Sequence, residues 1–325
     1  MKVAITGASG HIGNCITREL TKRGFAVRAL VHTFANDLNT LGIELVEGSL
    51  SDRHSLEKLC VGVDVLIHLA AKIAIDNKNY QEVYEVNVNG TKNLLSVAKN
   101  TSIKRVIHFS SIHAFQPQPI EEVLDESRPL IHSKKIVYEY TKAESERVVN
   151  NAVSDGLDAL ILNPTAVIGP YDFRNSFLGQ ALRLIYKNKL PMLIGGGYNW
   201  VDARDIAVAT IAAIDKGQKG ENYILSGHYL SLKELSLLIG EVKGGKTPQL
   251  VAPVFLAHMG CPFFKLYASL TSKDPLYTHQ SLDILANSPK RISHTKASEV
   301  LGYQPRALKD SLSDTFNWYK ENHLL

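Results

Sequence analysis

The chain has 325 residues, of which 45% are hydrophobic, so it can bury one large core or two cooperating lobes. Its net charge is only +4 and its basic residues form no long run, which argues against a nucleic-acid partner and favours a small-molecule one. The three cysteines Cys15, Cys60 and Cys261 are far apart and outside any C-x-x-C pair, so neither a disulfide framework nor a metal site is expected.

The first half of the chain alternates short apolar runs with longer amphipathic stretches. Runs that are apolar on both faces are typical of parallel strands covered by helices on both sides. Because such crossover connections are right-handed, the pattern predicts an α/β fold with a doubly wound parallel sheet of the Rossmann type. The predicted strands are 3–5, 26–31, 44–47, 63–69, 106–109 and 157–162, and the predicted helices are 12–23, 55–60, 80–99 and 134–153.

After Pro164 the alternation breaks down. We therefore expect a dinucleotide-binding domain at 1–164, to which residues of about 198–226 return, and a smaller, partly interwoven substrate lobe at 165–325. The ligand cleft is expected between the two lobes. The helices predicted in this half are 177–187, 203–214 and 308–321, with a glycine turn at 195–197.

Two features bear on location. Residues 1–6 run straight into the first strand without an apolar signal region. Export is therefore not expected, and we expect a cytoplasmic protein. The most apolar stretch, 250–264, is interrupted by prolines and is shorter than the roughly 20 residues that a spanning helix needs. It is expected to form a pocket wall, with no membrane partner.

Three glycines spaced three apart follow the first strand. In the run from Thr6 to Gly13, Gly7 and Gly10 let the backbone turn tightly, and Gly13 lets the first helix approach the strand. The N-terminus of a helix presents unpaired N–H groups to an anion. The turn therefore predicts a site for the pyrophosphate of a dinucleotide.

The end of the second strand selects the cofactor. An acid at this point binds the ribose 2′-OH of NAD and repels the 2′-phosphate of NADP. The strand ends at Val31 and His32, and no acid follows until Asp37. NADP(H) is favoured, with His32 or Arg28 near its phosphate, and NAD(H) is the alternative.

Tyr138 and Lys142 lie four residues apart, on one face of a predicted helix. A phenol has a pKa near 10, and a neighbouring ammonium that lowers it makes the tyrosine a competent acid or base at neutral pH. Upstream, Ser110 and Ser111 close the fifth strand at its carboxyl end, where doubly wound sheets hold ligands. A hydroxyl there can hold the substrate oxygen beside Tyr138.

Six motifs follow one another along the chain. They are the glycine turn 6–13, His68-Leu69-Ala70-Ala71, Asn87-Val88-Asn89-Gly90-Thr91, Ser110-Ser111, Tyr138 to Lys142, and residues 163–170. In this order they resemble the extended short-chain dehydrogenase/reductase family, the NAD-dependent epimerase/dehydratase type. Residues 27–29, 223–227 and 296–303 further resemble its dihydroflavonol-4-reductase-like branch.

The resemblance implies a role for each matching residue. Tyr138 is the general acid/base, Lys142 binds the nicotinamide ribose and lowers the tyrosine pKa, and Ser111 orients the reacting carbonyl or hydroxyl. Pro164 lies near the nicotinamide. The further cofactor contacts implied are Gly7, Ser9, Gly10, His11, Ile12, Gly13, His32, Ser49, Leu50, Leu69, Ala70 and Ala71.

Three positions depart from the family pattern. Ser49 replaces an aspartate that contacts adenine, which puts that contact in doubt. Tyr198 lies where nucleotide-sugar enzymes tend to carry an arginine for the diphosphate. Gln116 stands where plant dihydroflavonol reductases usually have an asparagine that touches the flavonoid.

Three functions follow from these residues. The first is a reductase or dehydrogenase acting on a ketone or secondary alcohol of a rather apolar molecule, flavonoid-like, terpenoid or steroidal. The second is a nucleotide-sugar epimerase or dehydratase with bound NAD, which must clamp a diphosphate, and the sequence offers no clear cationic clamp. The third is a non-enzymatic sensor or scaffold, against which the intact Ser111, Tyr138 and Lys142 weigh. The family also implies a homodimer that pairs helices 80–99 and 134–153.

Overall fold

Short strands alternate with helices along the chain. The computed structural model describes residues 1–32, 36–74, 79–259 and 278–325. The strands are β1 (Lys2–Thr6), β2 (Ala26–Val31), β3 (Glu44–Glu47), β4 (Val65–His68), β5 (Arg105–Phe109), β6 (Ala159–Pro164), β7 (Ala166–Ile168), β8 (Leu193–Ile194), β9 (Gly197–Asp202), β10 (Asn222–Leu225), β11 (His228–Ser231) and β12 (Val251–Ala252).

Helices connect most of the strands. These helices are α1 (His11–Lys22), α2 (Asn36–Asn39), α3 (Arg53–Cys60), α4 (Tyr80–Tyr84), α5 (Gly90–Ala98), α6 (Val137–Ser154), α7 (Phe177–Tyr186), α8 (Ala203–Lys216) and α9 (Leu232–Lys243). Three more helices near the C-terminus span His279–Ala286, Thr295–Leu301 and Leu308–Glu321.

The central sheet has seven strands in the order β3-β2-β1-β4-β5-β6-β10. Each neighbouring pair in it is parallel. The predicted doubly wound parallel sheet is confirmed. The strand order reverses between β1 and β4, and at such a point the carboxyl ends of two strands leave a crevice for a ligand.

Helices cover both faces of the central sheet. In β1, Val3 and Ile5 belong to the apolar cluster that includes Ile16 of α1 and Ile206 of α8. Ala4, between them, faces the opposite cluster, to which α3, α5 and α6 contribute. This alternation along one buried strand is what the unbroken apolar runs of the sequence predict.

The smaller lobe follows β6. Its strands form a three-stranded sheet, β11-β9-β7, and a pair, β12-β8. Its core is a cluster around Trp200, Phe316 and Tyr319. In the segment 198–226, α8 and β10 lie with the central sheet, whereas β9 belongs to the smaller one. The domain boundaries stay a prediction.

The helix predicted at 80–99 is divided. A π-helical segment, Glu85–Asn89, separates α4 from α5. Within it the Asn87 side chain accepts from the Lys72 amide at 2.7 Å and donates to the Thr141 hydroxyl at 3.1 Å. Such π segments are frequent near functional sites.

Among the helices of the described residues, none combines the length and apolarity required to cross a membrane.

Candidate active site

The turn between β1 and α1 depends on its glycines. Gly7 has a φ of +77°, a left-handed conformation that glycine adopts without strain. The Gly10 amide donates to the Gly7 carbonyl at 3.0 Å, and Gly10 is the N-cap of α1. The first turn of α1 has no side-chain cap and no acid, which leaves its N–H groups to an anion.

The space around these glycines fits a cofactor pyrophosphate. A Cβ at Gly13 would lie 2.1 Å from the Gly7 carbonyl oxygen, and a Cβ at Gly7 would lie 2.7 Å from the Ala70 amide nitrogen. Only glycine lets the helix come this close to the strand and leaves the backbone open to a ligand. The turn therefore fits the dinucleotide that the sequence predicts.

The structure brings Ser111, Tyr138 and Lys142 together. Tyr138 and Lys142 lie one turn apart near the start of α6, and Ser111 follows β5. The Ser111 hydroxyl is hydrogen-bonded to that of Tyr138. The Lys142 ammonium donates to the Phe109 carbonyl at 2.9 Å, so both side chains of α6 meet the carboxyl end of β5.

The protonation of this group differs from the expectation in one respect. Burial raises the pKa of Tyr138, and the hydrogen bond from Ser111 opposes the rise. The Lys142 ammonium donates to the Phe109 carbonyl and does not lower the pKa of Tyr138 in this structure. Burial lowers the pKa of Lys142 to about 8, against the attraction of Glu146. Tyr138 is thus a protonated phenol at neutral pH.

A buried carboxylate lies behind Lys142. Glu146, one turn further along α6, accepts hydrogen bonds from Asn163 at 2.6 Å and Asn222 at 2.8 Å. Asn163 also donates to the Ser111 carbonyl at 3.2 Å, so this network links β6 and β10 to the catalytic candidates. The sequence interpretation missed Glu146. Its spacing of four residues from Lys142 on one helix face was the available signal.

Ser111, Tyr138 and Lys142 line a single cavity of about 840 Å³. The glycine turn forms one part of its wall, and the smaller lobe contributes a largely apolar part. Lys142 and Arg174 are the lysine and arginine side chains that line it in the described parts of the chain. The apolar part includes Leu182, Ile185, Trp200, Leu235 and Ile284.

Most of the predicted site residues border this cavity, and some do not. The Ala70 amide donates to the Thr6 hydroxyl at 3.2 Å, and the Ser49 and Ser51 hydroxyls are 2.9 Å apart. Cofactor contact by the residues outside the cavity wall stays a prediction. On the wall are Gly7, Gly10, His11, Ile12, Gly13, Leu69, Ala71, Ser111, Tyr138, Lys142 and Pro164, and outside it are Ser9, His32, Ser49, Leu50 and Ala70.

Arg28 does not serve a cofactor phosphate as one alternative proposed. Its guanidinium donates to the carbonyls of Lys58, Leu59 and Val61 and forms an ion pair with Glu44 at 2.8 Å. The side chain is buried and fixes the end of α3 beside β2. His32, in contrast, is exposed at the end of β2.

The expected pocket wall at 250–264 is wrong for the part that the structure describes. Residues 250–259 do not line the cavity, and residues 260–264, with Cys261, lie outside the described residues. Helix His279–Ala286 lines the cavity instead. Tyr198 lies on the cavity wall, whereas Gln116 does not and donates weakly to the Leu130 carbonyl at 3.5 Å.

Two further polar side chains on the cavity wall were missed by the sequence interpretation. Glu139 follows Tyr138 on α6, and His113 lies two residues after Ser111. The His113 ring meets the Tyr138 ring edge-on, with centroids 6.3 Å apart. The adjacency of each to a motif residue was the only signal for them in the sequence.

Comparison with known proteins gives matches over the whole chain. Residues 3–226 match the NAD dependent epimerase/dehydratase family. Sterol demethylase protein B of Methylococcus capsulatus is 30% identical over 331 aligned residues that cover 100% of both chains. A dihydroflavonol 4-reductase-like protein of Synechocystis sp. is 28% identical over 98% of this chain and 94% of its own. The solved structure of gox2253 is 27% identical, with a TM-score of 0.86 over 100% of this chain and 99% of that one.

Proposed function

This chain belongs to the NAD-dependent epimerase/dehydratase family and is an NAD(P)-dependent oxidoreductase of the extended short-chain dehydrogenase/reductase type. On that basis we propose that it reduces a ketone, or oxidises the secondary alcohol, of a rather apolar small molecule with NADP(H). The observation that carries this proposal is the shared cavity of about 840 Å³, where Tyr138 and Ser111 meet a wall of apolar side chains. The sterol and the reductase in the names of two relatives are consistent with it.

In the proposed reaction each residue has a distinct role. Ser111 and Tyr138 donate hydrogen bonds to the carbonyl oxygen of the substrate, and the Tyr138 hydroxyl gives its proton to that oxygen as the alcohol forms. When bound, the nicotinamide would supply the hydride. Lys142 holds the nicotinamide ribose by donating hydrogen bonds to its hydroxyls. Gly7, Gly10 and Gly13 hold the pyrophosphate.

The preference for NADP(H) rests on the end of β2. His32 is exposed there, and the first acid that follows, Asp37, accepts a hydrogen bond from the Asn14 amide. Because the Asp37 carboxylate is already bonded to a side chain of α1, it is less free to bind a ribose 2′-OH. The His32 imidazole does not repel a 2′-phosphate.

The alternative is a nucleotide-sugar epimerase or dehydratase, and Arg174 is the observation in its favour. Within the described ranges, Arg174 is the arginine on the cavity wall. A diphosphate needs a cationic group such as its guanidinium as a hydrogen-bonding partner. Against it, Tyr198 occupies the position where an arginine is expected in that class, and its ring lies 5.4 Å from that of Trp200.

One experiment separates the two functions. NADPH oxidation at 340 nm is followed with a panel of apolar aromatic, terpenoid and steroidal ketones, and thermal unfolding is followed with UDP- and GDP-sugars. If the protein is a reductase, it should turn over ketones, and the sugars should not raise its melting temperature. Stabilisation by the sugars together with inertness toward every ketone would contradict it.

We also propose a homodimer, in which α4, α5 and α6 pair with the same helices of a second copy. Lys92 and Ser96 of α5 are exposed, so this face is open to a partner. Sedimentation velocity at micromolar concentration tests the proposal, since a 35.9 kDa species would contradict it.

A further inference from the structure

Six large apolar side chains are exposed in two adjacent segments of the smaller lobe. Leu193 of β8 pairs with Val251 of β12, so Met192 lies beside Leu250. Residues 254–259 follow β12 as a helical segment. Isolated exposed apolar side chains are ordinary, whereas a contiguous group of them marks a contact surface. We call these six side chains the apolar patch: Met192, Leu250, Val251, Phe255, Leu256 and Met259.

The helical part of the apolar patch has two apolar faces. Val254 and Ala257 pack into the core cluster that contains Phe316. Phe255 and Met259 lie four residues apart on the other face and are 63% and 69% exposed. A surface helix normally carries polar side chains on the face that it turns to water. The outer face of this segment therefore suits an apolar environment.

Cations accompany the apolar patch. Lys187, Lys189 and Lys246 are exposed in the stretches 187–194 and 244–259, which also contain the patch. Neither stretch contains an aspartate or a glutamate. Three ammonium groups without an acid in the same stretches give this surface a positive potential, which attracts an anionic partner.

The apolar patch backs onto the wall of the cavity. Nδ1 of His258 is 2.8 Å from Nδ1 of His279, at the start of a helix that lines the cavity. Nε2 of His258 lies 3.3 Å from the carboxylate of Asp283 on the same helix, so an acid that approaches the patch has a partner there. On the other side, α7 contributes Ile185 to the cavity wall and ends directly before Lys187.

A bilayer that contains anionic lipids matches this surface. Apolar side chains insert at the boundary of the acyl chains, and lysines bind the charged headgroups around them. A second copy of the chain matches less well, because a two-fold contact brings the same lysines of both copies together. We propose that the apolar patch and its three lysines dock the protein reversibly on the surface of an anionic membrane.

This proposal departs from the sequence-based expectation that the protein has no membrane partner. It is also independent of the proposed reductase function, because docking needs neither the cofactor nor the reaction. If the substrate is an apolar molecule dissolved in the membrane, docking places the wall of the cavity next to it.

Cosedimentation with vesicles tests the docking. We expect the wild type to bind vesicles of phosphatidylcholine with about 30% phosphatidylglycerol at least about 10-fold more tightly than vesicles of phosphatidylcholine alone. Salt at about 1 M, where the Debye length is about 3 Å, should release most of the bound protein. Equal binding to both kinds of vesicle would contradict the role of the lysines.

Variants of the apolar side chains assign the binding to the patch. Phe255→Ser combined with Leu256→Ser should weaken binding to the anionic vesicles at least about 10-fold, because two exposed side chains no longer insert. Val61→Ser is the matched control, because Val61 is 62% exposed at the end of α3, outside the smaller lobe. It should bind like the wild type, and the melting temperature of each variant shows that its fold is retained.

Variants of the lysines assign the charge dependence. Lys187→Gln combined with Lys189→Gln should weaken binding about 30-fold, about 5-fold for each charge removed. Lys22→Gln combined with Lys58→Gln removes two exposed lysines from the dinucleotide-binding domain and should leave binding unchanged.

Three results would overturn the proposal. The first is a wild type that stays in the supernatant with the anionic vesicles. The second is binding that persists when both the apolar side chains and the lysines of the patch are replaced. The third is a wild-type oligomer that dissociates in the Phe255→Ser, Leu256→Ser variant in sedimentation velocity, because a second copy of the chain would then cover the patch. None of these results bears on ketone reduction, which is measured without vesicles.

Discussion

The replacement of Gly13 by alanine tests whether the glycine turn holds the cofactor. A Cβ at this position would lie 2.1 Å from the Gly7 carbonyl oxygen and 2.8 Å from its carbon, whereas ordinary contacts begin at 3.4 Å. Both neighbours are backbone atoms, so β1 and α1 have to separate by more than an ångström. Overpacking of this kind costs about 1–3 kcal/mol. If the turn forms the pyrophosphate site, the displaced backbone also loses at least one hydrogen bond to the charged phosphate, about 1.5–3 kcal/mol, and the Kd for NADPH rises about 10-fold to 150-fold.

The assay is a fluorescence titration with NADPH, with the melting temperature measured in parallel so that a loss of fold is recognised. Gly195→Ala is the matched control, because the atom nearest to its Cβ would lie 3.7 Å away, in ordinary contact. It should bind NADPH like the wild type. A folded Gly13→Ala protein with an unchanged Kd would refute the assignment of the turn.

Three further predictions concern histidine and lysine side chains. Lys142 has a pKa of about 8 and loses its charge above that pH, so kcat/KM for ketone reduction should fall as the pH rises through about 8. A kcat/KM that stays constant up to about pH 10 would contradict the role of Lys142. His32→Glu should lower the ratio of kcat/KM for NADPH over NADH at least about tenfold, because a carboxylate repels the 2′-phosphate, whereas an unchanged ratio would place the phosphate elsewhere. His68 is buried and neutral with a pKa of about 3, so only the unfolded chain binds its proton between pH 6.5 and 3, and the free energy of unfolding falls as the pH falls. His68→Gln should make that decline shallower by about 1.4 kcal/mol per pH unit in urea unfolding, and equal slopes would argue against a neutral buried His68.

Local patterns of the sequence predict much of the fold. The strand, glycine turn and helix from Lys2 to Lys22 are contiguous in the sequence, so the local order of residues is enough to predict them. The four-residue spacing of Tyr138 and Lys142 likewise determines one helix face. The same reasoning failed for Arg28, because its contacts lie about thirty residues away at the end of α3.

The smaller lobe was harder to predict for the same physical reason. Strands β7 and β8 have three and two residues, too few to show a period, and their partners lie far along the chain. Glu139 and His113 are 26 positions apart in the sequence, and their proximity depends on how β5 meets α6. Local sequence can name Glu139 and His113 as polar, but only the packed fold places both on one cavity wall.

The most direct test of the account is the rate of ketone-dependent NADPH oxidation by Tyr138→Phe. The change removes only the hydroxyl hydrogen-bonded to Ser111, so the Kd for NADPH should stay within a factor of about two, while kcat falls by about 10²-fold to 10⁴-fold. Tyr140→Phe, two residues along the same helix and off the cavity wall, should turn over like the wild type. Turnover by Tyr138→Phe at the rate of the wild type would contradict the central claim.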